Sequence, residues 1–164
     1  MGKYTFKPYN PNFKNLYNKE KLKLNKILPI NTKIEHVGST AVPGLGGKGI
    51  IDIVIKTPRE KRFQFMKKVE RLGYKSNLDH PKNNKRIFFK KIVKYAGKER
   101  HIHIHLVLNN KFFDSFIVFR DYLRKNDKER NKYAKIKKEA VKHAKGEGKK
   151  YRKYKDNFLK NLIE

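Results

Sequence analysis

The chain of 164 residues contains no cysteine. That absence removes disulfides, thiolate zinc sites, iron–sulfur clusters and thiol nucleophiles together, and it leaves the redox compartment undecided. Carboxylates are also scarce, with 15 Asp and Glu against 43 Lys and Arg, so the formal charge is +28. No run of about 20 apolar residues occurs, and Met1 to Asn10 has no apolar stretch after its lysine. These absences lead to the expectation of a soluble, cytoplasmic protein with no membrane partner. The length suits one domain, 1–164. Phe, Ile, Leu and Val make up about 27% of the chain, above the roughly 20% at which a highly charged chain tends to disorder.

The positive charge suits a polyanionic partner, because cations that neutralise phosphates release condensed counterions. The excess is mostly Lys and is spread along the chain, as at Lys61-Arg62, Lys90-Lys91 and Lys137-Lys138. A solvated basic surface gives the same pattern, so the charge alone does not separate a nucleotide or nucleic-acid partner from composition.

Pro11 to Leu28 carries apolar residues at helical spacing, and Pro29 stops it. Lys33 to Val37 reads as a short strand that enters a glycine-rich loop, Gly38 to Gly49. Ile50 to Ile55 is apolar apart from Asp52, the pattern of a central strand covered on both faces. Pro58 opens a helix to about Leu72. Arg86 to Tyr95 and Arg100 to Leu108 read as a hairpin. Helices follow at Phe112 to Lys125, Lys128 to Lys145 and Lys149 to Leu162. The expected class is α+β: a mixed β-sheet with flanking helices and a helical C-terminal third, about 112–164.

The loop fails the test for a phosphate-binding P-loop, since Val42 stands where its first glycine belongs and Gly49 where its hydroxyl belongs. The five glycines of this loop can be turn residues and nothing more. A Gly-Ser pair after one strand, followed about a dozen residues later by an Asp in the next, is however the arrangement of polymerase-β-type nucleotidyltransferases. There the Gly-Ser segment holds a triphosphate and strand carboxylates hold the bridging metal ions. Gly38-Ser39 and Asp52 fit that spacing. A buried Asp52 paired with a structural cation is the competing reading.

The segment Ile34-Glu35-His36-Val37-Gly38-Ser39-Thr40-Ala41-Val42-Pro43-Gly44-Leu45, then Lys48 and Ile50-Ile51-Asp52-Ile53, resembles the signature of the GrpB family, which has the nucleotidyltransferase fold. Arg100, His103, His105, Leu106 and Val107 match a second block. Phe119-Arg120-Asp121-Tyr122-Leu123-Arg124 match a third, followed by Tyr133 and Lys137. The resemblance implies a nucleoside triphosphate cradled by Gly38, Ser39 and Thr40, with Lys48, Arg100 and Arg120 as further nucleotide-binding residues. It also implies a divalent cation, magnesium or manganese, at Asp52, the catalytic candidate, with Glu35, His103 and His105 as further metal ligands. Nucleotidyl transfer to an acceptor is the implied reaction.

The chain departs from the wider superfamily at Val54, where a second carboxylate usually leaves the same strand face. His101, His103 and His105 alternate and share a face, which suits metal binding, phosphate contact or exposure to water. Arg86, Arg100 and Arg120 could each grip a phosphate bidentately. Phe88-Phe89 and Phe112-Phe113 read as packing rather than base-stacking platforms. Two further readings stay open: a non-catalytic basic module that binds nucleic acid, and a metal-dependent phosphohydrolase built on the histidines.

Overall fold

The computed structural model describes residues 5–76 and 86–163. Met1 to Tyr4 of the N-terminal stretch considered above lie outside them. In chain order the elements are α1 (Asn12–Ile27), β1 (Ile34–Val37), β2 (Ile51–Lys56), α2 (Arg62–Arg71), β3 (Lys75–Ser76), β4 (Arg86–Tyr95), β5 (Lys98–Val107), α3 (Asn110–Lys125), α4 (Asp127–Ala144) and α5 (Gly148–Ile163). Single 3-10 turns occupy Ser39–Ala41 and Arg59–Lys61. The sheet order is β1-β2-β5-β4-β3. β2 and β5 run parallel, and the other neighbours are antiparallel. The class is therefore α+β, with a mixed sheet and a helical C-terminal third.

The alternation of β2 and β5 decides which face does what. Ile51, Ile53, Ile55, Ile102, Ile104 and Leu106 are fully buried, together with Phe89 of β4, under α1 and α2. Each such side chain contributes about 1.5–3 kcal/mol on burial, so this face holds the sheet against its helices. The other face carries Asp52, Val54, His103 and His105; α3 covers its Val54 end through Val37, Val107 and Phe113. Leu123 and Tyr133 then pack on Val42 and Leu45 of the glycine-rich loop, which brings α4 over that loop.

Several boundaries differ from the sequence reading, α3 starting at Asn110 among them. Pro58 has φ −61° and ψ 146°, extended rather than helical, so it leads into the 3-10 turn and α2 starts at Arg62. The β4–β5 hairpin closes through Ala96 (φ 51°) and Gly97 (φ 72°), both left-handed, as a two-residue turn that follows the strand twist demands. β5 therefore begins at Lys98, two residues earlier than expected. β3, two residues paired to Phe89 and Lys90, has no counterpart in the sequence reading. No helix among the described residues is long and apolar enough to cross a membrane.

Candidate functional site

The parallel register sets Asp52 beside His103 and Val54 beside His105, while Asp52 faces Val37 across the antiparallel pair. Directly opposed residues share a face, so these side chains leave the sheet together. Asp52 Oδ1 lies 3.2 Å from His105 Nε2 and 3.4 Å from His103 Nδ1. Arg86 Nη1 reaches His105 Nδ1 at 3.5 Å. A guanidinium only donates, so Nδ1 accepts and the His105 proton sits on Nε2, donating to Asp52. Phe88 meets the His103 ring edge-on at 4.8 Å and limits its rotation. Burial pushes the Asp52 carboxyl up, but the hydrogen bonds from His103 and His105 outweigh it and hold the group well below the usual carboxylate range. Asp52 stays ionised, with a side chain 26% exposed.

The glycine-serine turn lies directly on this carboxylate. Gly38 has φ +74°, and a Cβ there would stand 2.7 Å from Asp52 Oδ2. Only glycine meets both the left-handed backbone and the close approach. On the far side of the turn, a Cβ at Gly47 would stand 2.6 Å from Ser39 Oγ and 2.9 Å from Lys137 Nζ. A lysine from α4 thus reaches into the space beside the serine. Lys137 is 6% exposed, and its ammonium lies 5.0 Å from the Tyr133 ring. Burial and the charges of Lys155 and Lys48 bring its pKa down to about 7, against the opposing pull of Asp52. Lys48, 4.6 Å above the Tyr151 ring, is lowered to about 8 by burial, Lys155 and Arg152, again with Asp52 opposing. Asp52 and these cations therefore act on one another electrostatically, while Lys48, Lys137 and Lys155 repel one another.

The other expected residues are placed differently. Thr40 is buried beneath the turn; its hydroxyl donates to the Ile50 carbonyl at 2.9 Å and accepts from His36 Nε2 at 3.0 Å. Glu35, at the register of Val54, pairs with Arg120 Nη1 at 2.7 Å. Arg120 also donates to the His36 carbonyl at 3.0 Å and to Asp121 at 2.8 Å, so it clamps α3 to β1. Arg100 requires a correction. It shares parity with Ile102 and Ile104, not with the histidines, and its guanidinium lies 5.6 Å from the Phe13 ring on the opposite face of the sheet. His101 is exposed at the register of Ile92. The structure thus brings together Gly38, Ser39, Lys48, Asp52, His103 and His105, and it adds Arg86 and Lys137. Lys137 had a signal in the sequence: Tyr133, Lys137, Ala140 and Ala144 recur as one helical stripe, and a lysine among its buried positions is out of place unless it serves the site.

A model of the family described as GrpB protein matches residues 3–164. The chain belongs to the GrpB family. A UPF0157 protein of Halalkalibacterium halodurans is 30% identical over 142 residues, covering 85% of this chain and 70% of the relative. A UPF0157 protein of Pseudomonas aeruginosa is 35% identical over 131 residues, 79% of this chain and 53% of the relative, so the chain spans about half of that protein. Among solved structures, the conserved protein GrpB from Enterococcus faecalis superposes with a TM-score of 0.73 at 28% identity, covering 98% of this chain and 100% of that one. The Cid1 poly(U) polymerase with MgGTP bound superposes with a TM-score of 0.53 at 14% identity, over 83% of this chain and 43% of that enzyme. That likeness extends to the fold: this GrpB chain has a nucleotidyltransferase-like sheet.

Proposed function

We propose that the GrpB cleft binds a nucleoside triphosphate together with its divalent cation, and presents it for transfer of the nucleotidyl group to an acceptor. The observation that carries this reading is the cluster of Lys48 and Lys137 at the Ser39–Gly47 turn, near Asp52 and beside Lys155, which is itself paired with Asp156. Mutually repelling, partly desolvated ammonium groups are what a polyphosphate neutralises. Gly38 and Ser39 supply the turn that phosphate oxygens approach. Thr40 holds that turn from beneath, and Arg86 fixes His105, which with His103 orients Asp52.

Among the described residues, no three His, Asp or Glu side chains are placed to hold a metal ion by themselves. The donor set suits a cation that arrives with its nucleotide. Magnesium is commonly bound by one or two carboxylates, with substrate phosphates and water completing the octahedron. Asp52 would be the protein ligand, and His103 is the nitrogen donor beside it should manganese be used; both nitrogens of His105 are engaged, with Asp52 and Arg86. Bound there, the cation supplies charge neutralisation at the phosphates. Val54 leaves no second strand carboxylate, so the remaining positive charge in the cleft comes from Lys48 and Lys137. In the transfer an acceptor hydroxyl would attack the α-phosphorus and give up its proton to solvent as the new P–O bond forms, while the P–O bond between the α-phosphorus and the α–β bridging oxygen breaks and pyrophosphate leaves.

The test titrates a labelled, non-hydrolysable triphosphate analogue, and separately a random-sequence RNA, with and without magnesium or manganese. Metal-dependent nucleotide binding that is lost in Asp52→Asn is the expected result. If Asp52→Asn changes nothing while RNA affinity falls steeply with salt, the cleft is inert and the chain is a basic nucleic-acid-binding module instead.

A further inference from the structure

A second cleft, of about 530 Å³, lies along the outer edge of β1, between α1 and the α3–α4 corner. Its size falls within the range of small-molecule sites. Asp52, His103, Lys48 and Lys137 are not among its lining residues. It is walled by the other side of the Ser39–Ala41 turn, and by Lys14, Tyr17, Lys21, His36, Arg124 and Arg130. With Arg120 the lining holds five cations. Three carboxylates lie close: Glu35 on Arg120, Asp121 on Arg120 and Arg124, and Asp127 on Arg130. Two positive charges remain in excess, which matches the charge of roughly −1.5 to −2 on a phosphomonoester.

The arginines are arranged for such a group. Arg124 is anchored by Nε donating to the Ala41 carbonyl at 2.9 Å, and its side chain is 40% exposed. Arg130 lies against Gly44, where a Cβ would come within 3.4 Å of Cζ and Nε; Gly44 itself has φ +79°. Arg130 Nη1 donates to the exposed Asp127 at 2.8 Å. Its Nε is the one buried side-chain nitrogen or oxygen without a hydrogen-bond partner among the described residues. Leaving such a donor unmet costs about 1–3 kcal/mol. Because that Nε is closed to solvent, a phosphate entering the cleft meets the exposed remainder of the guanidinium and takes the Nε edge only if the side chain turns. His36 stacks on Tyr17 with ring centroids 4.6 Å apart, and burial lowers its pKa to about 4, with Arg124 and Arg120 adding to the effect and Asp52 opposing it. The floor of the cleft is thus neutral and aromatic, and its charge comes from the rim.

We propose that this cleft is a separate phosphate-binding site, in which Arg124 and Arg130 grip one phosphate group of a phosphate ester. The proposal does not depend on nucleotide binding at Asp52. That phosphate can belong to a small ester or to an RNA backbone, and the experiment separates the two. The full chain, labelled with ¹⁵N-arginine, is titrated with inorganic phosphate and separately with a short single-stranded RNA, following the arginine Nε–H resonances. A saturable shift of the Arg124 and Arg130 resonances is expected, retained in Asp52→Asn and weakened about tenfold in Arg130→Gln, the worth of one charge-assisted contact. Saturation by inorganic phosphate assigns the site to small esters, and saturation by RNA alone assigns it to a backbone phosphate. Absence of a saturable shift with both probes in the wild-type chain, unchanged affinity in Arg130→Gln, or loss of binding in Asp52→Asn would overturn the proposal.

Discussion

Replacing Lys137 by methionine tests whether that residue is present for the ligand or for the fold. In the apo cleft its pKa falls from 10.5 to about 7, through burial first and the charges of Lys155 and Lys48 next. A displacement of that size means that the folded state disfavours the ammonium by about 5 kcal/mol. The sign follows from proton counts. Between pH of about 7 and 10.5 the folded chain binds fewer protons at this site than the unfolded chain, so stability rises with pH across that window and the penalty is fully present below it. Methionine fills a similar volume without charge. Its cost is the ammonium–ring contact with Tyr133, about 0.5–2 kcal/mol. Exchanging a buried ion for an apolar side chain is often neutral or stabilising by about 1–4 kcal/mol.

Lys137→Met is therefore expected to unfold in urea at the same or a higher midpoint at pH 7, with a flatter rise of stability towards pH 10. The same variant is expected to bind the triphosphate analogue about ten- to a hundredfold more weakly, since a charge-assisted contact to phosphate is lost. A lysine whose role was structural would behave in the opposite way: breaking a buried pair costs about 3–5 kcal/mol. A lower urea midpoint together with unchanged nucleotide affinity would refute the reasoning.

Gly38→Ala places a side chain at φ +74° and 2.7 Å from Asp52 Oδ2. The backbone strain alone is about 1–2 kcal/mol, so the urea midpoint should fall and metal-dependent nucleotide binding should fall with it; a wild-type midpoint would show that the turn does not press on the carboxylate. Arg120→Gln removes the clamp on the partly exposed Glu35 and on the buried His36 carbonyl, at a cost of about 1–3 kcal/mol, mostly from the carbonyl left without its charged donor. Folded Arg120→Gln should keep its nucleotide affinity, and a specific loss of affinity without loss of stability would return Arg120 to the site.

The fold was legible wherever a segment had enough residues to show a period. Ile50 to Ile55 reads as a strand covered on both faces because every residue but Asp52 is apolar, and β2 is an inner strand, flanked by β1 and β5. β3 could not be seen, since two residues carry no period and its partners on β4 supply the ladder. The hairpin turn was obscured for a different reason. Asn-Gly or Asp-Gly is the usual mark of a turn with two left-handed residues, and here Ala96 takes the first of those positions.

Legibility of the site followed the same physics at the level of single side chains. Gly38 and Asp52 could be paired because the chain reverses once between adjacent strands and so returns beside itself. Arg100 shows how a matched block misleads when alternation is not applied inside it: one position from His101 and three from His103, it must leave the opposite face of β5, and it does. Arg130 escaped because a basic helix offers many equivalent lysines and arginines, and composition does not say which of them turn inward; Lys137 was marked by its place in an otherwise uncharged buried stripe, but not by what it reaches. Their distinguishing marks are partners far away in sequence, Gly47 for Lys137 and Gly44 for Arg130. Both glycines belong to the loop that follows the Ser39–Ala41 turn, so the absence of two side chains admits one cation to each of the clefts that this turn separates. A single rigid turn, braced by Thr40 and His36 between them, is then enough to keep two anion-attracting surfaces apart in a chain whose overall charge would otherwise draw any polyanion to every face.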